Sequence, residues 1–219
     1  MIMQRRTFTG SPIALQGPDR FADRMRRISD GLLDEGALVT TNWRINGGKA
    51  PWFALRVWTG REKAVENSLN AMGVQSLVPM RKGPDMRRRH RVVAGQMMPV
   101  IHGYVLVQMM AQAEYLAGLL GVEHVIDVLG GCERPMRLSD KEVSRFNAMA
   151  RNGDYDWERP VALVVKEGEP VWITAGPFCD KKAIVVTPNK KGRGDVVVSI
   201  DFMGGEVPVT VPLALLKKL

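Results

Sequence analysis

The sequence predicts an α+β protein: an N-terminal α/β sandwich with an antiparallel sheet and flanking helices, linked to a small five-stranded β-barrel. Strand and helix signals alternate between residues 51 and 150, which is typical of a layered domain. The last sixty residues instead carry short β-branched runs separated by turn residues. We therefore predict an N-terminal extension over 1–50, an α/β domain over 51–150, a linker over 151–162 and a barrel over 163–219.

The N-terminal extension is predicted to contain one amphipathic helix. Pro18 suits a first helical turn, apolar residues recur at spacings of four, three and four from Phe21 to Leu32, and Gly36 is a suitable C-terminal cap. Arg20, Arg24 and Arg27 occupy the other side of this helix. We expect the helix to dock on a partner or a phosphate backbone, or else to pack on its own domain or form a partly mobile arm. Residues 40–49 are expected to form a linker.

The α/β domain begins with a strand over Trp52–Trp58. Thr59 and Glu62 then predict a capping box that opens a helix ending at Gly73. A short strand is expected over Gln75–Pro79. The elements expected after it are strands over Arg91–Ile101 and Tyr104–Met109, a helix over Ala113–Leu120 and an extended run over Val122–Leu129.

Ser139 marks the clearest helix start in the chain. Ser139 and Glu142 have the spacing of a capping box, and Leu138 and Val143 that of a hydrophobic staple. After the polar segment 151–160, we expect five strands, and closing such a small sheet into a barrel removes its exposed edges. Their ranges are Val161–Val165, Pro170–Thr174, Lys182–Thr187, Asp195–Ile200 and Val207–Val211.

Composition favours an intracellular protein that binds a polyanion. The net charge of +8 and pI near 9.8 indicate a nucleic acid among the partners, with a merely solvated positive surface as the alternative. Two isolated cysteines form neither a disulfide framework nor a zinc motif. Because no apolar stretch reaches membrane-spanning length and no secretory signal is recognisable, we expect a cytoplasmic monomer without membrane contact.

A basic loop over Arg81–Arg91 is the best candidate for binding nucleic acid, since six of its eleven residues are Lys or Arg. Each cation can neutralise one phosphate, and the imidazole can stack on an exposed base. The alternative is a solvated hairpin tip. The candidate residues are Arg81, Lys82, Arg87, Arg88, Arg89, His90 and Arg91.

Several short motifs follow one another in a fixed order. They are Trp52-Phe53-Ala54-Leu55, Thr59-Gly60-Arg61-Glu62, Gly103-Tyr104-Val105-Leu106-Val107, Gly121-Val122, Pro135-Met136-Arg137-Leu138-Ser139 and Gly176-Pro177-Phe178. In this order and spacing, residues 51–219 resemble the bacterial NusG transcription elongation factors. The resemblance implies an N-terminal NGN domain and a C-terminal KOW domain, which is an SH3-like barrel.

The resemblance also implies a docking surface for the clamp helices of the largest RNA polymerase subunit. It is an apolar depression at the start of the Gly-Tyr-Val-Leu-Val strand, which nominates Tyr104 and Ile101. Trp52 and Phe53 are nominated as supports, with ordinary sheet core as the alternative. The polymerase would hold the protein near upstream duplex or non-template DNA, within reach of the basic loop.

For the barrel, the resemblance implies a partner such as Rho or a ribosomal protein, contacted through Phe178 and Phe202. The loop 201–206 is expected to be long, which would displace Phe202. His102 replaces the family's usual proline, and together with the N-terminal extension this points to a specialised RfaH-like paralogue. Valine-rich runs, Pro208 and Pro212 oppose refolding into helices, so we expect a permanently β-stranded domain.

We therefore expect an antitermination factor that suppresses pausing on specific operons. The alternatives are a general NusG-type factor that couples polymerase to Rho or a ribosome, and a ribosome-associated KOW protein that binds RNA. An enzyme is not expected, since the chain has no GxSxG, P-loop, HExxH or GxGxxG motif. No cofactor or metal is expected either.

Overall fold

The computed structural model describes residues 18–88, 91–189, 192–202 and 205–219. Within these ranges the chain forms an α+β fold with two five-stranded sheets. The helices are α1 (Pro18–Ile45), α2 (Glu62–Ala71), α3 (Ala113–Leu119) and α4 (Asp140–Arg151). No helix in the described ranges is both long and apolar enough to span a bilayer.

The N-terminal half contains nine strands in the described ranges. Five of them form an antiparallel sheet in the order β2-β7-β1-β8, with β9 paired to the start of β1. The antiparallel sheet predicted for this domain is confirmed. The strands are β1 (Trp52–Val57), β2 (Gln75–Leu77), β3 (Met80–Lys82), β4 (Met86–Arg88), β5 (Arg91–Val93), β6 (Met97–Pro99), β7 (Tyr104–Gln108), β8 (Val125–Val128) and β9 (Arg137–Leu138).

The two faces of this sheet belong to different apolar clusters because alternate residues of a strand point to opposite sides. Phe53 and Leu55 of β1 pack in a cluster with residues of α1, α2 and α3. Trp52 and Ala54 point the other way and join a cluster that includes α4 and the C-terminal sheet. The N-terminal sheet is therefore covered on both faces.

The sequence predicts that helix α1 ends at Gly36, but the helix continues to Ile45. Gly36 is buried against α3, where a Cβ built on it would lie 2.8 Å from the Cβ of Tyr115. The glycine thus permits close approach of two helices and does not cap one. Residues 40–45 were expected in a linker but belong to the helix, which packs on the domain here too. Thr40 is buried, and its hydroxyl accepts a hydrogen bond from the Met110 N–H.

The two predicted capping boxes have different outcomes. At α4, the Ser139 hydroxyl accepts from the Glu142 N–H, and the Glu142 carboxylate accepts from the Ser139 N–H, as predicted. At α2, the N-cap is Arg61, and no side chain caps the helix. Glu62 is buried and accepts instead from the Gly103 N–H at 2.7 Å, so it joins α2 to the turn that precedes β7.

The C-terminal sheet has the order β13-β12-β11-β10-β14, and every pairing is antiparallel. Val161–Val165 is not a strand, and the fifth strand is the C-terminal one, which the sequence analysis missed. The β12–β13 ladder extends to the pair Phe202 and Gly205, so the long loop expected over 201–206 was wrong. The strands are β10 (Pro170–Ile173), β11 (Lys182–Thr187), β12 (Asp195–Phe202), β13 (Gly205–Pro212) and β14 (Leu216–Lys218).

The segment predicted as a linker is folded against the rest of the protein. Tyr155 is only 1% exposed, and its ring lies 5.5 Å from that of Phe146 in α4. The Asp156 carboxylate accepts from the Lys82 N–H, and the Trp157 N–H donates to the Lys82 carbonyl. Residues 151–162 therefore connect the two sheets without forming a free, extended spacer.

Candidate functional site

Tyr104, the residue nominated as the central anchor, lies at the start of β7 and is 7% exposed. Its ring meets that of Phe178 edge to face, with centroids 5.1 Å apart and planes at 89°. Burial raises the pKa of Tyr104 above its ordinary value of 10.0. The nominated anchor and the nominated KOW contact are thus packed against each other.

Ile101 lies in the same depression and is 4% exposed. Ile101, Tyr104 and Phe146 line a narrow apolar hollow together with Pro177 of the C-terminal half. Gly176 also reaches the hollow: a Cβ built on it would lie 3.0 Å from the Ile101 Cδ1. The tripeptide Gly176-Pro177-Phe178 therefore covers the predicted docking surface.

The two residues nominated as supports lie on opposite faces of the sheet. Trp52 shares the apolar cluster of Tyr104, and its indole N–H donates to the Asp140 carboxylate at 3.1 Å. Phe53 is fully buried in the other cluster, beneath the helices. Phe53 is therefore sheet core, as the alternative interpretation held, whereas Trp52 lies on the face of the sheet that carries Tyr104, opposite Gln108 at the other end of β7.

Arg81 is not an exposed phosphate-binding residue. Its side chain is fully buried, and it donates two hydrogen bonds of 2.7 Å to the carboxylate of Asp195 in the C-terminal sheet. It also donates to the Tyr155 carbonyl, and its guanidinium lies 5.7 Å from the centre of the Trp157 ring. No local sequence pattern indicates Asp195 and Trp157 as partners of Arg81, because these residues lie far from it in the chain.

The rest of the basic loop forms an exposed hairpin made of β4 and β5. Arg87 and Arg91 are exposed, and neither forms an ion pair within the described residues. Arg88 pairs with Arg91 through its backbone, whereas Arg89 and His90 lie outside the described residues. The hairpin thus carries Arg87 and Arg91 on opposite faces, because Arg87 pairs with Val92 and Arg91 with Arg88, and Arg81 is not part of it.

Lys82 lies at the base of this hairpin and is half-exposed. Its ammonium is 3.2 Å from the Asp85 carboxylate. The Gly95 N–H and Lys82 both donate to that carboxylate and lower the pKa of Asp85 below its ordinary value. Lys82 is therefore partly neutralised, unlike the two arginines further out.

The two aromatic residues nominated in the barrel are not equally accessible. Phe178 is fully buried under Tyr104, whereas Phe202 lies at the end of β12 and is only partly buried. A partner that needs Phe178 cannot contact it while it packs on Tyr104. Phe202 is the accessible member of the pair.

Glu142, Cys179 and Asp180 place potential metal-ligand atoms within 4.8 Å of one another. The Glu142 carboxylate already accepts from the N–H and the hydroxyl of Ser139. Burial and the nearby carboxylates raise the pKa of the Cys179 thiol, which opposes the thiolate that binds metals. The cluster is explained by helix capping, and we assign no metal to it.

A family model and curated relatives that match this chain all carry the name NusG. The family model described as "Transcription termination factor nusG" matches residues 50–147. The transcription termination/antitermination protein NusG of Vibrio vulnificus is 28% identical over 182 residues, which cover 78% of this chain and 97% of its own length. That of Deinococcus radiodurans is 25% identical over 188 residues, covering 76% and 98%.

The chain is also similar to solved structures. The structure described as "Domain interaction in Thermotoga maritima NusG" is 23% identical, covers 78% of this chain and 98% of its own, and has a TM-score of 0.40. One conformation of the MjSpt4:Spt5 complex is 18% identical over 77% of this chain, with a TM-score of 0.27.

Proposed function

We propose that this chain, which belongs to the NusG family of transcription factors, binds the clamp helices of RNA polymerase through the Tyr104 surface. The protein is a NusG-type regulator of transcription elongation. The Tyr104 surface, defined by Ile101, Tyr104 and Trp52, offers what a protein anchor needs. It has apolar area at its centre, and Tyr adds a hydroxyl that can reach a polar rim.

One observation carries this proposal: the Tyr104 surface is covered by a separate part of the same chain, and not by its own sheet. Gly176-Pro177-Phe178 precedes β11 and fills the hollow at Ile101 and Tyr104. An apolar surface that another unit covers is one that a partner of similar chemistry can take over. Polymerase and the C-terminal sheet then compete for Tyr104.

Docking on polymerase therefore requires the C-terminal sheet to leave the Tyr104 surface. The chain alternates between a closed arrangement, as seen here, and an open one that exposes Tyr104 and Phe178 together. If only a fraction of molecules is open, the apparent Kd for polymerase rises by the inverse of that fraction. The same opening frees Phe178 for a KOW partner, so both proposed interactions depend on one equilibrium.

DNA contact by the β4–β5 hairpin is the second part of the proposal. Arg87 and Arg91 are exposed cations on a projecting hairpin, which suits contact with phosphates of upstream duplex or the non-template strand. Such contacts position the protein without reading sequence. We propose that they secure a factor that polymerase already holds.

Suppression of pausing follows if the bound factor prefers the actively elongating state of polymerase. A ligand shifts an equilibrium only through its different affinity for the two states. A difference in binding free energy of about 1–3 kcal/mol changes the ratio of the two polymerase states by about 5–150-fold. We propose antitermination on specific operons as the outcome. The names of the relatives include termination as well as antitermination, so a general termination factor is the second candidate. In this alternative, Phe178 and Phe202 of the C-terminal half would couple polymerase to Rho or to a ribosome.

The proposal is tested by binding purified host RNA polymerase to wild type, Tyr104→Ala and Trp43→Ala. Trp43 is a half-exposed aromatic residue of α1, so its substitution controls for loss of an aromatic side chain elsewhere. We expect Tyr104→Ala to weaken binding by about 2 kcal/mol if Tyr104 is a central anchor. Equal affinity of all three proteins would reject the Tyr104 surface as the docking site.

Single-round transcription through a terminator, with and without the protein, tests the direction of regulation. Increased read-through supports antitermination. Rho-dependent shortening of transcripts supports the general termination factor instead. Recovery of ribosomal subunits without polymerase would favour the ribosome-associated alternative.

A further inference from the structure

The first described part of α1 has an apolar stripe that no other described residue covers. Phe21 is 71% exposed, Met25 46% and Ile28 49%. Their spacing of four and three residues places them on one face of the helix. We call these three residues the Phe21 stripe.

The rest of α1 shows that the stripe is a separate feature. From Ser29 onward the helix packs against α3: a Cβ built on Gly118 would lie 3.1 Å from the Ser29 carbonyl oxygen. Leu33, one turn later, is 1% exposed. The apolar residues of α1 therefore have two different environments. The later ones lie in the core, whereas the Phe21 stripe is exposed among the described residues.

The charges around the stripe are asymmetric. At roughly 100° per residue, Arg24 lies beside the stripe, whereas Arg26 and Arg27 lie on the far side of the helix, next to Asp23 and Asp30. None of the three arginines forms an ion pair within the described residues. The guanidinium of Arg24 beside an apolar stripe complements a surface that is apolar at its floor and acidic at its rim.

The exposed area decides what kind of partner the stripe can hold. With about 150–250 Å² for a large side chain, the three residues expose on the order of 300 Å². A stable dimer buries about 800 Å² on each partner, so pairing of two stripes is too small to hold two copies together. Such pairing would also bring the arginines of the two copies close to each other, which is unfavourable.

A contact of this size becomes effective when something else already holds the partner nearby. A second, tethered contact benefits from a high effective concentration and needs little affinity of its own. The stripe meets this condition because α1 and the Tyr104 surface lie on opposite faces of the N-terminal sheet. The stripe is therefore free while the Tyr104 surface is occupied.

We propose that the Phe21 stripe is a second contact surface for RNA polymerase. This part of α1 would insert as a helix into an apolar, acid-rimmed groove on a polymerase subunit. This inference rests on the proposed docking through Tyr104. It gives the N-terminal extension a function: α1 raises the affinity and the lifetime of a complex that the Tyr104 surface begins.

The experiment compares full-length variants on purified host elongation complexes. Phe21→Ala, Met25→Ala and Ile28→Ala are combined, since Ala keeps helix propensity high. The matched control combines Leu38→Ala and Ile45→Ala, which remove exposed apolar side chains from the same helix outside the stripe. We expect the stripe variant to dissociate at least tenfold faster, the control to behave as wild type, and Arg24→Glu to weaken binding.

A photo-crosslinker at position 25 identifies the occupant. A covalent adduct with a polymerase subunit in the wild-type background is the expected result. If wild type binds polymerase through Tyr104 but the stripe variant binds equally well and no adduct forms, the inference is wrong and the proposed function stands. If wild type does not bind polymerase at all, both fail.

Two further measurements exclude other occupants. Sedimentation of the free proteins would overturn the inference if wild type were a dimer that the stripe variant dissociates. Flotation with phosphatidylglycerol vesicles would overturn it if the stripe bound the lipid and gave no adduct with polymerase.

Discussion

Arg81 donates two hydrogen bonds of 2.7 Å to the carboxylate of Asp195, which lies 114 residues further along the chain. This ion pair joins the hairpin region of the N-terminal half to the first residue of β12. Arg81 is fully buried, and the Asp195 side chain is 13% exposed. The ion pair and the packing of Phe178 on Tyr104 both join the two halves of the protein in the same arrangement.

Asp195→Asn is expected to favour the open arrangement and so to increase affinity for polymerase. Removing one partner of a buried ion pair leaves the other charge uncompensated, at a cost of about 3–5 kcal/mol. Opening relieves this cost, because it returns Arg81 to water. Binding to purified polymerase should therefore tighten relative to wild type, whereas Tyr104→Ala weakens it.

Asp201→Asn is the matched control, since Asp201 is an exposed carboxylate near the far end of the same strand. It should leave polymerase affinity unchanged. Weaker binding by a folded Asp195→Asn protein would contradict competition between the C-terminal sheet and polymerase.

Two glycines of α1 should respond to the same substitution in opposite directions. A Cβ built on Gly36 would lie 2.8 Å from the Tyr115 Cβ, whereas one built on Gly31 meets nothing within 4 Å. Gly31→Ala should raise the free energy of unfolding by up to about 1 kcal/mol through helix propensity. Gly36→Ala should lower it, because overpacking costs about 1–3 kcal/mol. Urea unfolding of both variants measures the difference.

Arg87→Ala combined with Arg91→Ala should make DNA binding less dependent on salt. Each lost phosphate contact lowers the slope of log K against log salt concentration by about 0.9 on duplex DNA. We expect a decrease of up to about 2 in that slope, measured by fluorescence anisotropy, with polymerase affinity nearly unchanged. Lys141→Ala with Lys217→Ala removes two exposed cations elsewhere and should leave the slope as it is. An unchanged slope in the hairpin variant would place the DNA contact elsewhere.

The α4 capping box should make stability depend on pH in the acid range. Hydrogen bonds from Ser139 lower the pKa of Glu142 below its ordinary 4.5. A carboxylate with a depressed pKa in the folded state stabilises fully above its unfolded pKa, and this contribution is lost as pH falls through the folded value. Wild type should therefore lose more stability below about pH 4.5 than Glu142→Gln does. Thermal unfolding across that range checks this, and parallel pH profiles would contradict it.

Local signals in the sequence are enough to predict several elements of this fold. The capping box at Ser139, the strands at Trp52 and Tyr104, and the alternation along the C-terminal strands each depend on residues a few positions apart. The ordered motifs that point to the NusG family are local in the same way. Short-range spacing is enough to specify such features because the backbone geometry of helices and strands is fixed.

Which candidate residues are available to a partner depends on how distant parts of the chain pack together. Arg81 and Arg87 look alike in one basic loop, yet the first is buried against Asp195 and the second is exposed. Gly36 has the sequence character of a helix end, yet packing against Tyr115 places it inside the helix. Burial and ion pairing depend on residues that approach each other only after folding, and no local pattern in the chain encodes those distances.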